Sequence, residues 1–270
     1  MYFDSFNFLE NDIISQNYMI IKILGKGGHG TVFTGKRKHD GKKVAIKLVK
    51  KNNCHSTVKP LEVTLLQKVY NISNVVKILD WIVLQDGYCI VMEKSVGTTD
   101  LFDFISEYGF LPEYKAKKIF QNIVITVINC RDAGVLHGDI KDENILIDWN
   151  TMEITLIDFG SGCFYNNQND HEKIFKGQRG TKVYCPPEMI MYEQYKANSF
   201  TVWSLGILLY NMLNGDIPFK NDLEICAAQV HFSQNIILSS EAKNLIISCL
   251  KLQAHQRITL EQIISHNWFK

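Results

Sequence analysis

The 270-residue sequence carries almost no net charge, since 29 lysines and arginines stand against 28 aspartates and glutamates, a balance of +1 at pH 7. Without a strong field of one sign, neither nucleic acid nor an anionic membrane surface is expected as its main partner. No uninterrupted apolar stretch reaches the length of a membrane span. The residues up to Tyr18 include Asp4, Glu10 and Asp12 but no basic run and no long apolar one, so neither a signal peptide nor an anchor is expected there. The seven cysteines, Cys54, Cys89, Cys130, Cys163, Cys185, Cys226 and Cys249, are odd in number and never fall at paired metal-ligand spacings. Reduced thiols in a cytoplasmic or nuclear protein, expected as a monomer, are the plain reading. Internal repeats and low-complexity tracts are also missing. What remains is a chain with 46% hydrophobic residues, enough for one sizeable core or two lobes.

That chain is organised around His137-Gly138-Asp139-Ile140-Lys141-Asp142-Glu143-Asn144, followed by Asp158-Phe159-Gly160. Asp139 can accept a hydroxyl proton, Lys141 can sit against a γ-phosphate, and Asn144 offers an amide oxygen to a metal. Asp158 adds a hard carboxylate for the same metal. Mg²⁺ prefers oxygen ligands and keeps part of its water, so no denser cage is needed. A lone His-x-Asp in a loop would be ordinary turn chemistry; its order and spacing relative to other motifs carry the signal.

Residues 18–24 read as a strand, Gly25-Lys26-Gly27-Gly28-His29-Gly30 as a glycine-rich hairpin, and residues 31–36 as the returning strand. A dinucleotide site needs a helix directly after its glycines. Thr31-Val32-Phe33-Thr34 is β-branched and aromatic, so a flap over phosphates fits better. Val44-Ala45-Ile46-Lys47-Leu48-Val49 is a buried-strand pattern containing one lysine. A bare buried ammonium is costly, so Lys47 requires a solvated edge or a partner. Glu62 is the expected partner, on a helix that opens at Pro60 and turns Leu65, Leu66 and Val69 inward; taken alone it would read as a surface glutamate. Strands at 75–79 and 88–92 complete a small sheet, and the polar stretch 93–99, with neither strand nor helix periodicity, is the natural boundary between two lobes.

Past that boundary the pattern turns helical. Ala116, Ile119, Phe120, Ile123, Val124, Val127 and Ile128 form an apolar stripe between Pro112 and Gly134. Residues 145–148 and 154–157 read as strands whose ends direct Asn144 and Asp158 to one place. Residues 200–213 are apolar almost all round, which implies a helix through the middle of the second lobe. Further helices are expected at 240–252 and from Thr259, the latter with a Thr259-x-x-Gln262 capping box.

The ordered set of Gly25 to Gly30, Lys47 in Val-Ala-Ile-Lys, Glu62, Asp139 to Asn144, Asp158-Phe159-Gly160, Pro186-Pro187-Glu188 and Arg257 resembles the eukaryotic protein kinases over residues 18–269. Within them it is most similar to the Pim serine/threonine kinases, through Asp100-Leu101-Phe102-Asp103-Phe104-Ile105, Lys141 to Asp148, Val202-Trp203-Ser204-Leu205-Gly206 and Gly215-Asp216-Ile217-Pro218-Phe219. The resemblance implies an α+β, bilobal protein kinase-like fold: a leader at 1–17, a β-rich N-lobe at 18–93 with one main helix, a hinge at 93–99 and a mostly helical C-lobe at 100–269. It implies a Mg²⁺- and ATP-dependent enzyme acting on serine or threonine. In this frame Lys47, oriented by Glu62, holds the α- and β-phosphates, Asn144 and Asp158 bind Mg²⁺, Asp139 is the base, and Lys141 steadies the γ-phosphate. Leu24, Gly25, Gly27, Gly28 and Gly30 contact the nucleotide. Val32, Ala45 and Leu146 sandwich adenine, Met92 is the gatekeeper, the backbone from Glu93 through Ser95 to Val96 meets the ring, and Asp100 lies near the ribose. Glu188 and Arg257 form a buried structural pair. Asp100, Asp103, Asp142, Glu143, Asp216, Asp222 and Glu224 resemble an acidic ring for arginine-rich protein substrates, with Asp103 and Glu143 foremost; a solvated acidic face is the alternative.

The departures from the pattern are equally specific. Lys94-Ser95-Val96 lacks the linker proline of Pim kinases, so a second hinge hydrogen bond to ATP is expected. Gly138 replaces the usual arginine, and residues 166–180 contain no serine, threonine or tyrosine, so activity is expected without a phosphate in that loop. Thr181 is expected to hydrogen-bond near Asp139 and Lys141 in the substrate site. His29 stands where an aromatic is usual, and Thr201 where many kinases carry a bracing aspartate. These changes leave a pseudokinase scaffold open as a second reading, while Pro186-Pro187-Glu188 argues against a small-molecule phosphotransferase.

Overall fold

The structure is a computed structural model and describes residues 12–50, 59–166, 174–177 and 179–270. Residues 1–11 of the expected leader, Cys54, and positions 167–173 and 178 of the loop after Asp158 lie outside the described residues. The chain divides into two compact units, one comprising residues up to 70 with 76–97, the other residues 71–75 with 98–270.

The first unit contains α1 (Asp12–Asn17), β1 (Tyr18–Gly27), β2 (Gly30–Arg37), β3 (Lys43–Lys50), α2 (Leu61–Lys68), β4 (Ile78–Leu84) and β5 (Gly87–Glu93). Its strands form one antiparallel sheet in the order β1-β2-β3-β5-β4. Alternation along β3 sends Val44, Ile46 and Leu48 into a core with Phe33, Ile82, Leu84, Cys89 and Val91. Ala45 and Lys47 therefore project from the opposite face, where α2 buries Val63, Leu65 and Leu66. Residues 12–17 are not mere leader: they form α1, because Ile14 joins the same core.

Two boundaries differ from expectation in informative ways. The strands run on into the glycine-rich stretch, pairing Gly25 with Val32 and Gly27 with Gly30, so the turn narrows to Gly28-His29. Gly30 has φ +127°, and a Cβ there would sit 2.1 Å from the Leu48 carbonyl oxygen, so β2 approaches β3 too closely for any side chain. The strand expected at 75–79 lies instead at Ile78–Leu84. A register shift between Ile78 and Asp80 breaks the alternation, and Asp80 accepts a hydrogen bond from the Tyr18 hydroxyl at 3.1 Å. Pro60 is the residue before the first turn of α2 rather than within it.

The second unit contains β6 (Thr98–Asp100), α3 (Leu101–Tyr108), α4 (Glu113–Asp132), β7 (Val135–Leu136), β8 (Ile145–Asp148), β9 (Glu153–Leu156), β10 (Cys163–Phe164), β11 (Ile174–Lys176), α5 (Pro187–Tyr192), β12 (Gln194–Lys196), α6 (Ala197–Asn214), α7 (Asp222–Ala227), α8 (Ser240–Cys249) and α9 (Leu260–Ile264). The stripe on α4 is buried from Ala116 to Val127, with Ile128 half-buried, and the helix ends where Gly134 adopts φ +80°. Residues 98 and 99, expected in a hinge without regular structure, pair with β8 as part of β6, a non-local contact that the local pattern does not encode. The helix expected to reach Leu252 stops at Cys249. Thr259 and Gln262 cap α9 reciprocally.

α6 is the centre of this unit. Fifteen of its residues, from Ala197 to Leu213, are buried, as expected of a helix apolar on every side. At Gly206 a Cβ would lie 2.6 Å from that of Cys249, so the glycine sets the close approach of α8. An antiparallel sheet followed by a largely helical unit fulfils the expected α+β class.

Candidate active site

In the first unit, Lys47 Nζ lies 2.7 Å from Glu62 Oε1, with the two side chains only 4% and 6% exposed. A pair this deep holds because each charge neutralises the other; removing one would strand its partner in an apolar setting. Val32 faces Lys47 across β2 and β3, and Ala45 faces Met92 across β3 and β5. Met92 is buried. Leu24 is exposed, and Gly25, Gly27 and Gly28 have open space where a Cβ would be. Unlike Gly30, these three are not glycines because of the protein's own packing. Glu93 carries an ion pair with Lys42 and donates its amide to Lys77 O at 2.9 Å. The Lys94 amide reaches Lys43 O at 3.4 Å, and Ser95 and Val96 are exposed.

In the second unit, the turn between β7 and β8 holds a single hydrogen-bonded cluster. Asp139, buried at 6% exposure, accepts from the Thr181 amide at 2.7 Å, from the Thr181 hydroxyl at 3.2 Å and from Asn144 Nδ2 at 3.2 Å. Asn144 Nδ2 also donates to the Asp139 carbonyl at 2.8 Å, which leaves its Oδ1 as the atom for a cation. Lys141 Nζ stands 3.8 Å from Asp139 Oδ2 and pairs with Glu143. Burial works to lower the Lys141 pKa, but the Glu143 hydrogen bond and the carboxylates of Asp139 and Asp142 outweigh it and hold the amine above its usual value.

Asp158 is tied to this cluster through the residue before it. The Ile157 amide donates to Asn144 O at 3.0 Å, and its carbonyl lies 2.8 Å from His137 Nε2. The Asp139 amide donates to His137 Nδ1 at 3.3 Å, the arrangement that suits the tautomer in which Nε2 donates to Ile157 O. Asp158 itself is left-handed, φ +60°, with Oδ1 taking the Gly160 amide at 3.0 Å. A non-glycine residue held this way stores strain, and such strain concentrates at functional sites. The Asn144 amide oxygen and the Asp158 carboxylate are hard oxygen donors of the kind Mg²⁺ takes. Among the described residues no group of three His, Cys, Asp or Glu side chains gathers as a denser metal site.

One expected member of the acidic ring is displaced. Asp142 is 4% exposed and fully engaged, accepting from Asn211 Nδ2 at 2.6 Å, the Tyr184 hydroxyl at 3.1 Å and the Glu143 amide at 3.0 Å. It anchors the loop to α6 and cannot meet a substrate. Burial pushes its pKa up, against those hydrogen bonds. Asp222 pairs with Lys182 at 2.8 Å, Asp216 pairs with Lys220, and Glu224 takes the Lys220 amide at 2.7 Å. Asp100 caps α3 by accepting the Asp103 amide at 2.7 Å, and β6 places it opposite Leu146 on β8. Burial raises the Asp100 pKa, and the nearby charges of Asp103 and Glu143 add to it, so three carboxylates share one small region.

Sequence reasoning missed Asn211, Tyr184 and Ser204. Ser204 Oγ donates to Tyr184 O at 3.1 Å, while Thr201 gives its hydroxyl to Ala197 O within its own helix. A buried amide in an otherwise apolar helix needs a partner, and Asn211 could have been found on that ground. Arg257 grips Glu188 with two 2.7 Å bonds, donates to the carbonyls of Ser199, Lys251 and Leu252, and lies 4.9 Å over the Trp203 ring.

Residues 18–269 match the protein kinase domain family. The chain belongs to that family. This kinase is 40% identical over 269 residues to the Serine/threonine-protein kinase pim-2 of Danio rerio, a match covering 94% of this chain and 84% of that protein. It is 37% identical to the Serine/threonine-protein kinase prk-2 of Caenorhabditis elegans over 94% of this chain and 58% of that protein. It is 34% identical to the Calcium-dependent protein kinase 5 of Plasmodium falciparum, over 97% of this chain and 47% of that one. The kinase is thus a Pim-like serine/threonine-protein kinase, a phosphotransferase whose fold and family agree with the motif order.

Proposed function

We propose that this kinase transfers the γ-phosphoryl group of ATP to serine or threonine in arginine-rich protein substrates, and that it does so without a phosphate in its activation loop. The hydrogen-bonded cluster on Asp139 carries this reading. A substrate hydroxyl attacks the γ-phosphorus, its proton passes to Asp139, and the bond to the ADP oxygen breaks. The Thr181 hydroxyl and amide and the Asn144 amide fix the carboxylate's orientation, so little reorganisation is needed when the proton moves. Lys141 supplies positive charge beside the transferred group, and Lys47 is the proposed ligand of the α- and β-phosphates. Asn144 and Asp158 would hold Mg²⁺, which neutralises phosphate charge when bound.

Arginine preference is supported by the convergence of Asp100, Asp103 and Glu143, whose mutual repulsion a guanidinium would relieve. Independence from loop phosphorylation is supported by the hydroxyls nearest the loop. Tyr165 is buried with its oxygen accepting from Asn198 at 3.1 Å, and Thr181 is committed to Asp139.

The test is Mg²⁺-dependent transfer from ATP to an arginine-rich serine peptide by phosphatase-treated protein. Asp139→Asn is expected to lower kcat by about 10²–10⁴-fold with ATP binding retained. Nucleotide binding with no transfer by the unsubstituted chain would favour the scaffold reading instead.

A further inference from the structure

Gly138, where arginine is usual, is enclosed. It has φ +79°, and a Cβ there would fall 2.2 Å from the Ser161 carbonyl oxygen and 3.0 Å from Arg179 Cδ. Arg179 reaches this point from the far end of the activation segment, and its Nη1 donates to that same Ser161 carbonyl at 2.5 Å. Its own carbonyl is approached by Cys185 Sγ at 3.3 Å. The next residue, Gly180, has φ +72°, and a Cβ there would sit 2.5 Å from Gly138 O and 3.0 Å from Asp139 Oδ1. The residue after that is Thr181, whose amide donates to Asp139. Three consecutive residues therefore meet, in turn, Ser161 in the turn that continues Asp158-Phe159-Gly160, the backbone beside the base, and the base itself.

We propose that Arg179 is a positioning residue: it locks the end of the activation segment onto Ser161 across Gly138, and so fixes Thr181 against Asp139 without any phosphate. This rests on the kinase reading and gives its phosphorylation independence a mechanism. In a phosphate-ordered loop, an arginine on the catalytic loop gathers a charge that must be added. Here the polarity is reversed. The cation sits on the segment as part of the chain itself, and its planar fork suits a fixed acceptor. Its acceptor is a main-chain carbonyl, which is always present. Gly138 and Gly180 follow from the same crossing, because two main chains meet where neither can carry a side chain. Tyr195 on β12 flanks the arrangement: burial raises its phenol pKa, and the Arg179 guanidinium beside it opposes that rise.

The experiment uses the full phosphatase-treated chain with Arg179→Ala, Arg179→Lys, Gly138→Ala and the Gly138→Ala/Arg179→Ala double variant. Steady-state kinetics and amide hydrogen exchange over residues 160–165 and 179–184 are the readouts. Arg179→Ala is expected to lower kcat by about tenfold or more while KM for ATP stays within about twofold, with faster exchange in both segments. Arg179→Lys keeps charge and one donor and is expected to recover part of the loss. Gly138→Ala alone is expected to lower kcat about tenfold, but by no more than about threefold when Arg179 is already alanine, because the guanidinium then no longer draws the Ser161 carbonyl against position 138. Arg179→Ala with kcat within twofold and unchanged exchange overturns the proposal, as do losses from Gly138→Ala and Arg179→Ala that multiply independently. If Gly138→Ala does not fold, the Arg179 series alone decides. Absence of transfer by the unsubstituted chain overturns the kinase reading, and the exchange comparison then still judges the lock.

Discussion

Replacing Asn211 by leucine isolates the tie between the catalytic loop and the central helix of the second unit. Asp142 has three donors, and Asn211 Nδ2, at 2.6 Å, is the shortest. Leucine keeps the volume but leaves one lone-pair direction of a buried carboxylate unmatched. Loss of a hydrogen bond to a charged buried group costs about 1.5–3 kcal/mol. At about 2–4 °C per kcal/mol for a unit of this size, 2 kcal/mol corresponds to a fall in Tm of about 4–8 °C. Intrinsic fluorescence is a suitable probe, since three of the four tryptophans, Trp149, Trp203 and Trp268, belong to the second unit. The pH dependence sharpens the test. Burial already places the folded pKa of Asp142 above its unfolded value, so the folded state binds more protons, and this contribution is lost as pH rises through the folded value. Removing a donor raises that value further, so the deficit of Asn211→Leu should widen as pH rises through the folded value and should shrink in an Asp142→Asn background. A shift below about 1 °C where Asp142 is ionised, or a shift that stays equal across its whole titration, would refute the reasoning.

Asp103→Asn and Glu143→Gln should each raise KM for an arginine-bearing peptide by about two- to fivefold, the range of a partly exposed ion pair, without changing KM for its alanine analogue; equal effects on both peptides would remove these residues from substrate recognition. Gly30→Ala should destabilise the first unit by more than about 1 kcal/mol, because its Cβ would meet the Leu48 carbonyl at left-handed φ, whereas Gly28→Ala should shift the thermal midpoint little. Ser95→Pro removes one amide donor and should weaken ATP binding by about two- to tenfold in calorimetry, the equivalent of one net hydrogen bond; an unchanged Kd would show that the extra donor is not used.

Much of the fold was legible because periodicity reports burial directly. The stripe on α4 and the all-round apolarity of α6 gave both helices; Gly134, at positive φ, also gave the end of α4, whereas α6 begins at Ala197, three residues before the expected 200–213. The errors fall where pairing is non-local. β6 exists because Thr98 and Asp100 meet β8, not because of anything in residues 93–99. β4 was displaced because Asp80 interrupts its alternation, and that exposed aspartate is held by the adjacent Trp81 amide and by the distant Tyr18 hydroxyl. The site divides in the same manner. Residues whose chemistry is rare in their setting, such as a lysine inside Val-Ala-Ile-Lys-Leu-Val or the His137 to Asn144 run, announced themselves. Asp142 did not, since an aspartate between a lysine and a glutamate looks like surface charge until a helix some seventy residues on is seen to reach it.

That helix explains why a threonine at position 201 is tolerable. Among the described residues Thr201 bonds its own helix, at Ala197 O, so α6 does not hold the catalytic loop at the position where many kinases place an aspartate. The attachment lies further along: Asn211 holds Asp142, Ser204 holds the Tyr184 carbonyl, and the Tyr184 hydroxyl returns to Asp142, closing a ring of buried bonds between helix, loop and activation segment. Arg257 extends the attachment by joining the Ser199 carbonyl and the Trp203 ring to Glu188. Each of these polar groups is expensive to bury singly and stable only with its partners in place. An apolar helix with three or four such exceptions therefore does more than fill a core: the exceptions define where the flanking loops must sit, and Asp139 inherits its position from them through the two residues, Ile140 and Lys141, that separate it from Asp142.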